Sequence, residues 1–154
     1  MKKTNKGFSL VELIIVIAIM AILIGVLAPQ YIKYVEKSRV SADKDVLDSV
    51  YNALTTAASD PEISTGTIIS TDKKLGDFNG NGKEDDFSSV VLDTLGQGFS
   101  GSGSSVEAKL KSKIALGVNK VISISVDANG NFTVYTGTSA NDTSSAITVG
   151  AGAN

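Results

Sequence analysis

The 154-residue sequence contains no cysteine and no histidine. Disulfides, Cys/His zinc centres, thiol nucleophiles and triads with an imidazole base are therefore excluded. Tryptophan is also absent, and there are two prolines, Pro29 and Pro61. Neither sign of charge dominates: 14 basic side chains face 16 acidic ones, for a formal net charge of −2. A surface that grips phosphate backbones needs a basic excess, so direct nucleic-acid binding is not expected. Long apolar runs are missing everywhere except in one place.

That place is Phe8 to Ala28, FSLVELIIVIAIMAILIGVLA, 21 residues with Glu12 as the sole charge. At ~1.5 Å per residue the run is long enough to cross a ~30 Å hydrocarbon core. Lys2, Lys3 and Lys6 stand immediately before it and predict a cytoplasmic N-terminus. A secretory signal has a shorter apolar region, followed by a small-residue cleavage site; here the run continues into a helix. A plain signal anchor explains the lysines and the length but not Glu12. An acidic side chain at mid-bilayer costs roughly 2.5–3.5 kcal/mol, less near the edge, so its presence calls for a partner. If the chain is cut before Phe8, the new amine has a pKa of roughly 7.7–8 and is largely cationic at neutral pH. Glu12 lies four residues on, the spacing at which opposite charges meet on a helix.

The block Gly7-Phe8-Ser9-Leu10-Val11-Glu12, the basic leader before it and Ala28-Pro29-Gln30-Tyr31 after it resemble the N-terminus of type IV pilins and of type II secretion pseudopilins. The resemblance covers residues 1 to about 40. It implies that a prepilin peptidase cuts between Gly7 and Phe8 and, as N-methyltransferase, methylates the Phe8 amine. It further implies a single-pass precursor in the cytoplasmic membrane, whose mature subunits pass through a membrane assembly machinery into a homopolymeric filament outside the cell. Glu12 and the Phe8 amine would form the assembly charge pair. The implied output is adhesion, motility or DNA uptake for a pilus, or secretion or DNA uptake for a pseudopilus; neither is an enzyme. Many pilins close a C-terminal loop with a disulfide, and this chain departs from that pattern. Loss of the three leader lysines would leave 11 basic against 16 acidic side chains, a net −5.

The helix is expected to run on to Ala58, about 76 Å from Phe8. Its second half places Ile32, Val35, Ala42, Val46, Val50, Ala53 and Ala57 on one stripe. Ser59-Asp60-Pro61 stops it, because a residue before proline is pushed out of the α region. Gly25 and Pro29, one turn apart, form its weak point, since proline lacks an N–H and crowds the carbonyl of Gly25.

The expected fold is α+β. Residues 1–7 are a leader, 8–58 the long helix (8–28 transmembrane and filament core), and 59–154 a head. The helix is membrane-spanning in its first half and amphipathic in its second, packed on a three- to four-stranded antiparallel sheet. Thr65 to Asp86 reads as polar loop, and Phe87 to Leu95 as a short helix capped by Asp86 or Ser88. Gly96 to Ser105, with four glycines and four serines, reads as a flexible connector. Val106 to Ile114 alternates and reads as a strand, or as a short helix with a Glu107–Lys111 pair. Val121–Val126 and Asn131–Tyr135 flank Asp127-Ala128-Asn129-Gly130, a hairpin signal. Ala146 to Val149 adds an edge strand.

Asp77, Asn79, Asn81 and Asp85 space oxygen side chains at positions 1, 3, 5 and 9 of a loop, with Gly82 at position 6. Calcium loops need hard oxygen ligands on alternate residues and a glycine at the sharp turn. Ser88 occupies position 12, where the motif requires a bidentate glutamate. The same composition also writes a solvated turn, and both readings stand at this level. A membrane-anchored calcium-binding domain is therefore the alternative of another class; for the filament reading no cofactor is required. Ser41-x-x-Lys44 and Ser70-x-x-Lys73 match a nucleophile pattern without its companion motifs.

Overall fold

The computed structural model describes residues 7–63, 72–84, 86–137 and 147–150. Two compact units divide the chain, Met1–Lys37 and Ser38–Asn154. One helix, α1 (Leu10–Ser59), contributes to both.

In the first unit the described residues form the start of α1. Its apolar side chains are exposed, from 50% at Ile14 to 73% at Leu10. Pro29 lies inside the helix, and a side chain at Gly25 would meet nothing within 4 Å.

The second unit is α+β, with the later part of α1 packed on a four-stranded antiparallel sheet. The order is β1 (Lys73–Lys74), β2 (Ile122–Val126), β3 (Phe132–Thr136) and β4 (Thr148–Gly150). Ser123 sits opposite Tyr135 in the β2–β3 pair, and Val134 opposite Val149 in β3–β4. The hairpin falls where the turn residues place it. Asp127 Oδ1 accepts from the N–H groups of Asn129 and Asn131, both at 2.8 Å, and Gly130 takes φ 83°. The Asn131 side-chain amide also donates to Asp127 Oδ2 at 2.9 Å, and this bond, with the backbone ones, holds the Asp127 carboxyl below the ordinary aspartate range. β1 lies within the stretch that reads as polar loop. Two lysines on an edge strand carry little hydrophobic signal, and edge lysines discourage pairing with another chain.

The core joins Leu47, Val50, Ala53, Leu54 and Ala57 of α1 to Ile122, Ile124, Phe132 and Val134 of the sheet. It also takes Phe87, Val91 and Leu92 from α2 (Phe87–Thr94). Asp86 caps α2 by accepting from Ser89 N at 3.2 Å. The buried stripe of α1 differs from the expected one. Ile32 and Ala42 are exposed and Val46 half-buried, whereas Leu47 and Leu54 are fully buried. The stripe turns by about one residue, which brings Asp43 inside at 0% exposure.

Asp43 is buried because two backbone donors meet it. Its Oδ1 accepts from Lys111 N and its Oδ2 from Ser112 N, each at 2.8 Å. Those bonds explain a correction. Val106 to Ile114 is not a strand but two short helices, α3 (Ser104–Glu107) and α4 (Lys113–Gly117), around a turn. Amides that a β-ladder would use point instead at Asp43, and Ser112 Oγ caps α4 by accepting from Ala115 N at 3.2 Å. Val106 and Leu110, both buried, are four residues apart, a spacing that a two-residue and a 3.6-residue period share. Glu107 also turns inward, its Oε1 accepting from Ile122 N at 2.9 Å and Gly76 N at 3.3 Å.

Gly96–Ser105 is likewise not a loose connector. Gly80 N donates to Gly101 O, Gly82 N to Phe99 O and Gly103 N to Phe78 O, all at 3.0 Å. A Cβ at Gly103 would come within 1.8 Å of the Leu75 carbonyl oxygen, and one at Gly80 within 1.9 Å of Phe99 O. The glycines thus permit two backbones to approach more closely than side chains allow.

Removing the Asp43 carboxylate should orphan two donors at about 1–3 kcal/mol each. Asp43→Ala is expected to lower the urea midpoint of residues 38–154 accordingly, and Asp43→Asn, with one acceptor oxygen left, by about half as much. Tyr135, 1% exposed on β3, is pushed up to about 12 by burial and then by the Asp72 carboxylate. A raised phenol favours the neutral folded state. Its contribution is complete below the unfolded value near ~10 and is lost as pH rises toward about 12. Tyr135→Phe should remove that alkaline slope from a stability–pH curve.

Candidate functional site

The first turn of α1 holds the candidate site. Ser9 is the residue before the helix, its carbonyl accepting from Leu13 N at 3.2 Å. Its own N–H donates to Glu12 Oε2 at 2.9 Å. This is the glutamate half of a capping box, Ser-x-x-Glu, in which the third helical residue reaches back to the N-cap amide. The pattern Ser9-Leu10-Val11-Glu12 is legible in the sequence, but the unusual charge directs attention to depth in the membrane instead. A carboxylate in the first turn also complements the positive end of the helix dipole. Glu12 therefore does local work before any second chain is considered.

The geometry keeps the carboxylate close to the chain that precedes the helix. Its oxygen lies 2.9 Å from the amide one residue after Phe8, so an amine at Phe8 would stand next to a group already engaged by Glu12. Phe8 itself is 87% exposed. A Cβ at Gly7 would meet nothing within 4 Å, so no contact among the described residues demands glycine there. Lys2, Lys3 and Lys6 lie outside the described residues.

The candidate calcium residues are arranged otherwise. Asp77 ends a 3₁₀ turn, Leu75–Asp77, and Asn79 bridges to Ser102. Asn81 Oδ1 accepts from Lys83 N at 2.9 Å and lies 3.2 Å from Ser89 Oγ. Gly82, at the sharp-turn position, has φ 80°. Asp85 lies outside the described residues. Among the described residues no group of three or more His, Cys, Asp or Glu side chains could hold a metal ion.

The profile of the prokaryotic N-terminal methylation motif matches residues 2–28, the stretch that contains Gly7, Phe8 and Glu12. The chain carries the N-terminal methylation motif of type IV pilins. Beyond the motif, the chain is similar over its N-terminal part to a type IV major fimbrial protein, FimA, of Dichelobacter nodosus. Identity is 51% over 41 residues, 27% of this chain and 26% of the relative. The type IV major pilin protein PilA of Myxococcus xanthus (strain DK1622) is 43% identical over 49 residues, 32% of this chain and 22% of that protein. The match thus spans about a quarter of the length of these curated pilin relatives. No solved structure matches the chain. The motif coincides with the exposed apolar half of α1, and the similarity to these relatives covers only the N-terminal part of the chain.

The two jobs of Glu12 separate by substitution. Glu12→Gln keeps an oxygen for Ser9 N, so the helix should still start at Leu10. Glu12→Ala removes the acceptor and should cost about 1 kcal/mol of local helix stability, the usual scale of a cap. Amide exchange at Ser9 in detergent micelles reads this directly, with faster exchange expected in the alanine variant alone.

Proposed function

We propose that this chain is the major structural subunit of a type IV pilus. The precursor sits in the cytoplasmic membrane through the first half of α1 and is cut between Gly7 and Phe8. The prepilin peptidase then methylates the Phe8 amine, and the mature subunit enters a homopolymeric surface filament through the same helix. The observation that carries this reading is the methylation motif lying on an exposed apolar run, Phe8 to Ala28, whose sole charge stands in the first turn of the helix. An apolar helix face with 50–73% exposed side chains needs a non-aqueous partner. Lipid supplies it before assembly, and copies of the same helix supply it afterwards.

The charge supports an assembled state over a simple anchor. On insertion scales a buried Leu, Ile, Phe or Val contributes about −0.3 to −0.6 kcal/mol, so roughly seven of them offset one carboxylate. The run contains more than that, and Glu12 does not prevent insertion. It remains a cost that an apolar residue would avoid, and the Phe8 amine of the same or a neighbouring chain neutralises it. The glycine–proline step at Gly25 and Pro29 is the place where the helix yields as subunits pack or as the filament stretches. A structural subunit needs no catalytic site, and the reading is of a non-enzyme. Similarity to major fimbrial and major pilin proteins favours a pilus over a secretion pseudopilus.

The mature chain is expected to begin at Phe8 with one added methyl, as measured by the mass of the N-terminal peptide from sheared surface filaments. Gly7→Val should leave the precursor intact in the membrane: the added side chain meets nothing within 4 Å among the described residues, and it crowds the bond that the peptidase must reach. Glu12→Gln, which preserves the cap, should reduce filament yield by an order of magnitude or more in a strain with no wild-type copy, since about 1.4 kcal/mol per subunit contact is already tenfold. Filaments at wild-type yield from either variant would refute the proposal.

A further inference from the structure

The apolar run leaves the depth of the helix undefined, because windows of 20 residues starting at several positions all span a bilayer. Tyr31 and Tyr34 stand just beyond it at (i, i+3) spacing, on one helical face, and are 70% and 71% exposed. Lys33 and Lys37, one turn apart, are also exposed. Tyr31 lies nineteen positions beyond Glu12, about 28 Å of helix at 1.5 Å per residue. That is one hydrocarbon thickness, ~30 Å. Rings with a polar tip settle at the headgroup level, and lysine stems let their ammonium groups reach the phosphates.

We propose that Tyr31 and Tyr34, flanked by Lys33 and Lys37, form a collar that docks in the phospholipid headgroup layer of the outer leaflet. The collar acts as a ruler: it fixes the register of α1 and holds Glu12, with the Gly7–Phe8 bond beyond it, at the inner headgroup boundary. The inference rests on the reading of the chain as a membrane-inserted precursor. Its logic is competitive. The 20-residue window that would exclude Glu12 runs from Leu13 to Ile32, and it would drag Tyr31 into hydrocarbon. With apolar residues at 31 and 34 that penalty disappears, Ile32 and Val35 join the run, and the helix slides toward the cytoplasm until Glu12 reaches water.

Because the chain has no cysteine, Leu13→Cys provides a single attachment point for a nitroxide. The labelled full-length precursor is placed in phosphatidylcholine–phosphatidylglycerol vesicles, and collision with a water-soluble relaxant is compared with collision with oxygen. Replacing both tyrosines by leucine should raise the aqueous collision rate at position 13 by about two-fold or more, as the label moves out by up to a turn, ~5 Å. Replacing both by tryptophan, which also prefers the interface, should leave it at the wild-type value. Equal rates in the wild type and the leucine pair, with both floating on the vesicles, would overturn the collar and leave the membrane reading standing. A wild-type precursor that fails to float would overturn the membrane reading and the collar with it.

Discussion

A row of apolar side chains left exposed among the described residues is the constraint on which this protein turns. In the first half of α1 every large apolar residue is at least half exposed. In the second half, from Leu47 to Ala57, the same helix is buried to completion at its inward positions. One continuous element therefore serves two environments, and its sequence changes character where they change. The first half has no polar face to offer water, and by length and composition it is long and apolar enough to cross a membrane. Glu12 stands near its start, the sole charge of the run, and already satisfies the Ser9 amide. This gives the carboxylate a reason to be present within the single chain.

The second unit, Ser38–Asn154, solves a different problem, that of fastening long irregular segments without a disulfide. Two carboxylates do much of this by accepting backbone N–H groups from distant parts of the chain. Asp43 ties α1 to the turn before α4, and Glu107 ties α3 to the start of β2 and to the 3₁₀ turn at Gly76. Charge-assisted bonds of this kind are roughly twice as strong as neutral ones. The glycine ribbon, in which residues 78–82 pair with 99–103, adds close backbone contact. Loop segments that carry few hydrophobic residues are held in this way by hydrogen bonds.

Legibility followed the physical range of each signal. The long helix, the Asp86-capped α2 and the hairpin around Asp127 are set by neighbours within four residues, and the chain states them openly. The pilin-like motif is equally local, with Gly7, Phe8 and Glu12 in one short block. The capping bond of Glu12 was also written there, as Ser9-x-x-Glu12, and was obscured by the stronger anomaly of a charge in an apolar run. Where the reading failed, at Val106–Ile114 and at Gly96–Ser105, the deciding partners lie far along the chain. Asp43 is nearly 70 residues from the amides it captures, and no window contains both.

The sequence by itself determined that one apolar helix leads the chain, that a single carboxylate stands in its first turn, and that thiol, imidazole and disulfide chemistry are excluded. These follow from composition and from periodicity along one strand of chain. Only the tertiary structure decided which face of α1 is buried, that an aspartate lies on it, and that glycine-rich segments pair with each other. Burial depends on what packs opposite, and a backbone donor becomes decisive only when the fold brings an acceptor to it.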